Sequence, residues 1–336
     1  SWTEAGADGP EPGDGGPRLE TRFYRDRSSS IITRNTSPDL GFDYSVNPYR
    51  GCEHGCAYCY ARPYHEYLGF SAGLDFESRI MVKPEAPALL EAELASPKWT
   101  PGVIALSGVT DCYQPIERRL RLTRGCLEVL LDARNPVSVI TKNRLVVRDV
   151  DLLREMAELG TVRVTLSMTT LDPVLARDLE PRTASPRARL EAIRRLSEAG
   201  VPTCVNLAPI IPGLNDHEIP AILEASARAG AIGADWALLR LPLAVKDIFL
   251  DWLDRFHPGK KPRILARLRD SRGGRLNSSA FGERLTGAGV FAEQIRALFR
   301  VAARRCGLDR PLPPLTVAHF RRPRGGQLEF PGLVGC

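Results

Sequence analysis

The 336-residue chain has no apolar run near the ~18–20 residues that a membrane-spanning helix needs. Its first residues also lack the apolar stretch of a secretory signal. No membrane partner is expected, and a cytoplasmic setting is. Cysteine is scarce too: eight residues, three of them within eight positions, are too few and too clustered for a disulfide scaffold. Thiols used for metal or redox chemistry in a reducing compartment are the better reading. Neither sign of charge dominates. A net charge of +6, with 43% apolar and 26% charged residues, excludes a disordered or collagen-like chain and leaves material for a sizeable core.

The positive charge that is present gathers in three places. Arg118, Arg119, Arg121 and Arg124 form one group. Lys260, Lys261, Arg263, Arg267, Arg269, Arg272 and Arg275 form a second, and Arg321, Arg322 and Arg324 a third. Such groups suit a phosphate-rich partner through counterion release. The same pattern also describes an arginine-rich solvated surface.

No short-period repeat is visible, but the chain alternates. Residues 1–17 hold five Gly, three Pro and four acids without apolar periodicity, the composition of a disordered leader. The stretch 1–36 is expected to be disordered or irregular, with Phe23–Asp43 wrapping the surface. Short β-branched runs then predict strands at Phe42–Asn47, Val103–Ser107, Val137–Thr141, Val162–Met168, Pro202–Leu207 and Trp236–Leu241. Apolar residues at three- and four-residue spacing predict helices at Ala86–Ala95, Thr123–Ala133, Arg148–Leu159, Pro186–Ala199 and Asp216–Ala229. Ser185-Pro186 supplies an N-cap and a first-turn proline, and Gly160 and Gly200 stand where helices should stop. Six strands alternating with helices imply parallel βα units, in an α/β fold that is either an open doubly wound sheet or a partial barrel. Beyond Leu241 the strand signal fades, and Asp247–Phe256, Pro262–Asp270 and Ala292–Cys306 look helical. The expected organisation is a core over 37–242 and a helical extension over 243–336, irregular across Leu312–Pro331.

The segment from Asn47 to Tyr60 carries the chemistry. Cys52, Cys56 and Cys59 lie at CxxxCxxC spacing just after the first predicted strand. Three thiolates on one loop can each hold one iron of a cubane 4Fe-4S cluster, with Gly51 and Gly55 letting the backbone curl around it. The fourth iron keeps an open position, as a catalytic metal site requires. Structural zinc would need a fourth ligand, and His54, wedged between two of the thiols, closes a tetrahedron awkwardly. Inert buried thiols are the remaining alternative.

This motif, followed by βα alternation, resembles the radical S-adenosylmethionine (SAM) superfamily. Residues Asn47–Arg62 together with Thr110-Asp111-Cys112-Tyr113-Gln114-Pro115-Ile116-Glu117 resemble its DNA-repair-photolyase-like branch, related to spore photoproduct lyase. The resemblance spans about Ile31 to Leu241. It implies a partial TIM barrel, (βα)6, with the helical C-terminal extension packed on it. It also implies SAM chelated to the open iron and cleaved reductively to a 5′-deoxyadenosyl radical that takes hydrogen from substrate. An electron donor such as flavodoxin or ferredoxin is implied as partner. Nucleic acid is the expected substrate, for repair or modification. A peptide or small metabolite is the alternative, and a non-catalytic Fe-S sensor the rival from another class.

The resemblance also assigns positions, all near the carboxyl ends of predicted strands, where sites in such sheets lie. Thr110 and Asp111 match the place that receives the methionyl amine, and Lys142 the carboxylate. Ser167 resembles a SAM-contacting polar position, with Glu180 and Arg182 as further candidates for ribose and carboxylate. Ile210, within Ala208–Asn215, resembles the segment lying against adenine. Tyr58 fills the aromatic slot of the motif, and Tyr60 matches a tyrosine implicated in radical return. In the lyase a cysteine near the end of the second strand donates hydrogen; here Gly108 or Val109 falls in that slot, which leaves Cys112 as a displaced donor or a buried small residue. Cys126, Cys204, Cys306 and Cys336 form no second CxxC-type set, so no auxiliary cluster is expected.

Overall fold

The computed structural model describes residues 20–324. The expected leader over 1–17 and the end of the Pro- and Arg-rich tail lie outside the described residues.

Six strands run parallel: β1 Tyr44–Val46, β2 Ile104–Leu106, β3 Val137–Thr141, β4 Val162–Ser167, β5 Thr203–Ile210 and β6 Gly233–Leu238. They pair in the order of the chain, and Thr33–Arg34 adds antiparallel to the free edge of β1. Register is set by pairs such as Val46 with Leu106, Val139 with Val164, and Leu166 with Val205. This order decides between the two architectures left open by the sequence. A doubly wound sheet reverses direction at a switch point, whereas strands added one after another on the same side wind a barrel. Among the described residues β6 does not pair with β1, so the barrel is partial.

The crossovers are α1 Ala86–Ala95, α2 Leu122–Asp132, α3 Val150–Glu158, α4 Pro186–Glu198 and α5 Ile219–Arg228. Each begins within two residues of the expected start or after a short 3-10 turn, as at Arg144–Asp149 and Asp216–Glu218. Ser185 accepts a hydrogen bond from the Ala188 amide and caps α4, while Gly160 and Gly200 adopt positive φ after α3 and α4. The apolar faces of these helices bury Leu90, Leu94, Leu127, Leu153, Ile193 and Leu196 against the strands. Each such side chain contributes roughly 1.5–3 kcal/mol.

Two features depart from the sequence reading. The helix Val290–Cys306 (α6), expected in the extension, buries Ala292, Ile295, Phe299, Ala302 and Ala303 in the same core as the strands and packs Phe299 on Trp236 of β6 at 5.9 Å. It is the helix of the sixth βα unit. The insertion of Val245–Phe256 and Lys261–Asp270 between β6 and α6 hid that relation. Arg22–Arg25, within the stretch expected to be irregular, is a strand pairing parallel with Arg79–Val82, which in turn pairs antiparallel with Tyr49–Arg50. These strands of two to four residues are too short and polar for periodicity to show. They fix the chain immediately before the cysteine loop. Among the described residues no helix is long and apolar enough to cross a membrane.

Candidate functional site

The loop bearing the three thiols is held almost entirely by hydrogen bonds to its own backbone. Arg62, 1% exposed, donates from Nε and Nη2 to the Cys56 carbonyl at 3.0 and 2.9 Å, to Gly55 O at 3.2 Å, and to the Ala72 and Gly73 carbonyls. Its charge is met by Glu77 at 2.5 Å. Gln114 clamps the other side, donating to Gly51 O and accepting from the Glu53 amide at 2.9 Å. Arg182 donates to Glu53 O and pairs with Glu77. Gly51 and Gly55 have φ of +79° and +68°. The positive φ favours glycine at Gly55, and a Cβ there would displace the Arg182 guanidinium and the Glu77 carboxylate from their present positions.

Cys52 and Cys56 are 6% exposed, Cys59 is partly exposed, and all three thiols are free. Burial pushes the Cys56 thiol up to about 12, with the Glu180 charge adding to it. Burial likewise raises Cys52, where Asp111 and then the other two thiols add to the shift. Thiolates here need a cation to answer them, so ionisation and metal uptake are coupled. His54 lies 1% exposed between the thiols, but both ring nitrogens are committed: Nδ1 is 3.4 Å from Asp111 Oδ2 and Nε2 is 3.3 Å from Asn143 Nδ2. Burial lowers its pKa to about 4 and keeps the ring neutral. It is the engagement of both ring nitrogens by Asp111 and Asn143, not the neutral charge, that turns His54 away from the role of a fourth zinc ligand. Among the described residues no three His, Cys, Asp or Glu side chains close on one ion. Three soft donors spread along one loop, with no fourth, are instead the set a cubane uses, each thiolate on its own iron.

The ends of β2 to β5 gather most of the other expected residues. Asp111 accepts from Thr141 Oγ1 and from the Lys142 amide, both at 2.7 Å, tying the end of β3 to the cysteine loop through His54. Lys142 Nζ lies 5.9 Å from the centroid of the Tyr58 ring. The Tyr58 hydroxyl donates to Glu180, which also accepts from Thr169 Oγ1 at 2.7 Å and pairs with Arg189. Burial would raise the Glu180 carboxyl, but Arg189, then Lys142 and the hydrogen bonds from Tyr58 and Thr169, hold it below the usual range. Ser167 is bound through its carbonyl to Arg189 at 2.9 Å. Asn215 joins the ends of β4 and β5, donating to Thr169 O and Pro209 O beside buried Ile210.

Three expected residues stand apart from this group. Thr110 spends its hydroxyl on Tyr49 O and Asn47. Tyr60 turns away from Tyr58, donating to Gly108 O at 2.8 Å with Arg240 over its ring. Cys112 is fully buried in the main core with Val46, Ile104, Leu106 and Leu127, whereas Cys56 and Tyr58 belong to the second apolar cluster, with Leu179, Phe249 and Trp252. Its thiol points at Leu106 O, 3.7 Å away. Of the two roles left open for Cys112, its packing is that of a buried small residue. Sequence reasoning missed Asn143, Thr169 and Arg189, and it gave no role to Arg62, Gln114 and Asn215, although these lie within the motif stretches Asn47–Arg62, Thr110–Glu117 and Ala208–Asn215. The roles of all six are buried polar contacts between distant segments, which local pattern does not specify.

The model of the family described as the Radical SAM superfamily matches residues 46–225. The chain belongs to the radical SAM superfamily. It is therefore an enzyme of that class, and the family's cofactors are SAM and an iron-sulfur cluster. This radical SAM chain is 38% identical over 282 residues to an uncharacterized protein of Mycobacterium tuberculosis, covering 83% of this chain and 80% of that one. It is 34% identical over 178 residues to an uncharacterized protein of Methanocaldococcus jannaschii, covering 53% and 64%. The solved structure of spore photoproduct lyase complexed with dinucleoside spore photoproduct superposes with a TM-score of 0.58 over 84% of this chain and 78% of that one, at 16% identity. At that identity the likeness is one of fold.

Proposed function

We propose that Cys52, Cys56 and Cys59 hold a 4Fe-4S cluster and that the enzyme modifies or repairs nucleic acid. Held by these thiolates, the cluster would supply the electron for reductive cleavage of SAM and so the radical chemistry of the family. The protein's part is to position and to dry the reactants. Lys142 offers a point charge to the SAM carboxylate beside Tyr58. The web of Glu180, Arg189, Thr169 and Asn215 keeps the ends of β4 and β5 rigid under the nucleoside. Asp111 holds β3 against the cysteine loop and so sets where Lys142 can reach. A small acidic redox protein such as flavodoxin or ferredoxin would deliver the electron.

The observation that carries the substrate class is a depression of about 290 Å³ lined by Arg118, Arg144, Arg148 and Arg195 with Leu145 and Val147. Arg118 and Arg195 present guanidinium groups at this depression that match the planar oxygens of a phosphodiester, while Arg148 beside them is engaged by Glu117 and Asp149. The fold shared with a lyase whose structure holds a dinucleoside photoproduct supports the same reading.

The test is anaerobic reconstitution and dithionite reduction, followed by assay of 5′-deoxyadenosine and of deuterium transfer from labelled DNA or RNA. Deoxyadenosine production stimulated by one of them, with binding that weakens steeply with salt, is expected. Stimulation by peptides or small metabolites alone would assign the other substrate class.

A further inference from the structure

Two arginines near the end of β6 carry charge that no carboxylate among the described residues pairs with directly, although Glu283 lies near enough to act on Arg272 and Asp39 on Arg240. Arg240 lies two residues beyond β6, and Arg272 beyond the helix Lys261–Asp270. The Nε of each is buried without a hydrogen-bond partner. Arg272, 5% exposed, spends its other nitrogens on the neutral carbonyls of Glu283 and Leu239, at 2.8 and 2.9 Å. Arg240 contributes only a stack over the Tyr60 ring, 5.7 Å from its centroid. The nearby acid Asp39 is already taken by Arg284 and by the Gly282 amide. Burial, with the like charge of Arg240 next, brings Arg272 down to about 10, and burial with Arg284 lowers Arg240. Buried guanidinium groups persist at such a cost when something else answers them.

The surroundings say what would. Tyr60 follows the ligand-bearing Cys59 and reaches to Gly108 beyond β2, so its ring and Arg240 lie across the gap between the two ends of the sheet. Tyr64, 56% exposed, is near enough to act on Arg240, as is Arg284, whose guanidinium covers the exposed ring of Phe281 at 4.7 Å. A guanidinium stacked on one tyrosine with an exposed aromatic ring nearby is a pattern that takes a phosphate and a base next to it.

We infer that Arg240, backed by Arg272 and with Tyr64 nearby, is the receptor for one phosphate of a single-stranded nucleic-acid segment entering the open side of the barrel beside Tyr60. This rests on the nucleic-acid reading and adds to it where the strand is gripped. It is separate from the depression lined by Arg118 and Arg195. The same phosphate chemistry is offered by a free nucleotide, so the test includes both sources.

Cluster-loaded wild-type protein is compared with Arg240→Met, which keeps the stack on Tyr60 but removes the charge, and with Arg240→Gln should the first fail to fold. A labelled ten-nucleotide single strand is titrated by anisotropy over a range of salt. Arg240→Met is expected to bind about tenfold more weakly and to shallow the log K against log[salt] slope by ~0.7, the share of one phosphate on a single strand. Tyr64→Ala is expected to weaken binding with the slope unchanged. An unaltered slope in both Arg240 variants overturns the inference. In parallel, thymidine 5′-monophosphate and inorganic phosphate are added in thermal melts. If these raise the wild-type Tm through Arg240 while no strand binds, the receptor stands, the occupant is a free phosphate ester and the nucleic-acid reading falls. If neither the strand nor these anions depends on Arg240, the receptor itself is refuted.

Discussion

Glu180 and Arg189 form an ion pair with side chains 0% and 1% exposed, and between them they reach Tyr58, Thr169, Thr183, Ala184 and Ser167. The pair joins Tyr58, which precedes Cys59 in the chain, to the end of β4. Removing one partner leaves an uncompensated charge in the interior, which costs about 3–5 kcal/mol. Arg189→Met is therefore expected to lower the Tm by roughly 10 °C at ~2–4 °C per kcal/mol for a domain of this size. Glu180→Gln combined with Arg189→Met should lose less than the sum of the two single changes, as a double-mutant cycle in thermal melts will show.

Cys52→Ala, Cys56→Ala and Cys59→Ala are each expected to abolish full cluster loading, because each strips one iron of its thiolate. His54→Ala should still load iron and sulfide, since both ring nitrogens of His54 are turned to Asp111 and Asn143. Iron and acid-labile sulfide counts with visible absorption make the comparison. Full loading of any cysteine variant, or zinc in the wild type, would contradict the ligand assignment.

Gly55→Ala asks whether the loop's shape matters apart from its thiols. The positive φ costs about 1–2 kcal/mol for a residue with a Cβ, and the new methyl meets Arg182 and Glu77. Reduced cluster occupancy with all three cysteines intact is the expected result, read from iron per chain after identical reconstitution.

Cys112→Ala separates packing from hydrogen transfer. The thiol is wholly buried among aliphatic side chains, so a loss of about 1–2 kcal/mol of stability from the small cavity is expected. Turnover per cluster should be unchanged. A variant that cleaves SAM normally but releases unrepaired or misquenched product would restore Cys112 as a donor.

If Lys142, whose ammonium lies beside Tyr58, receives the SAM carboxylate as proposed, Lys142→Met is expected to weaken SAM about tenfold while leaving cluster absorption alone. Equilibrium binding of SAM to the loaded protein measures it. Equal affinity in the two proteins would free Lys142 from that role.

The CxxxCxxC spacing at 52, 56 and 59 was legible as a superfamily motif because spacing on one loop is a local property, and so was the helix begun by Ser185-Pro186 and ended at Gly200. Strands β1 to β6 were legible for the same reason: a run of branched residues wants burial wherever it ends up. What local pattern could not contain was the meeting of segments far apart in the chain. Strand order made the sheet a barrel. Helix α6 belongs to the core although two helices intervene, and Cys112 turned inward while Tyr60 crossed the gap to Gly108. Arg62 and Arg189, which a sequence marks as surface charge, became the innermost fastenings of the site because only the assembled fold surrounds them with carbonyls and a carboxylate. Polar groups declare a purpose when their partners arrive, and tertiary packing alone delivers those partners.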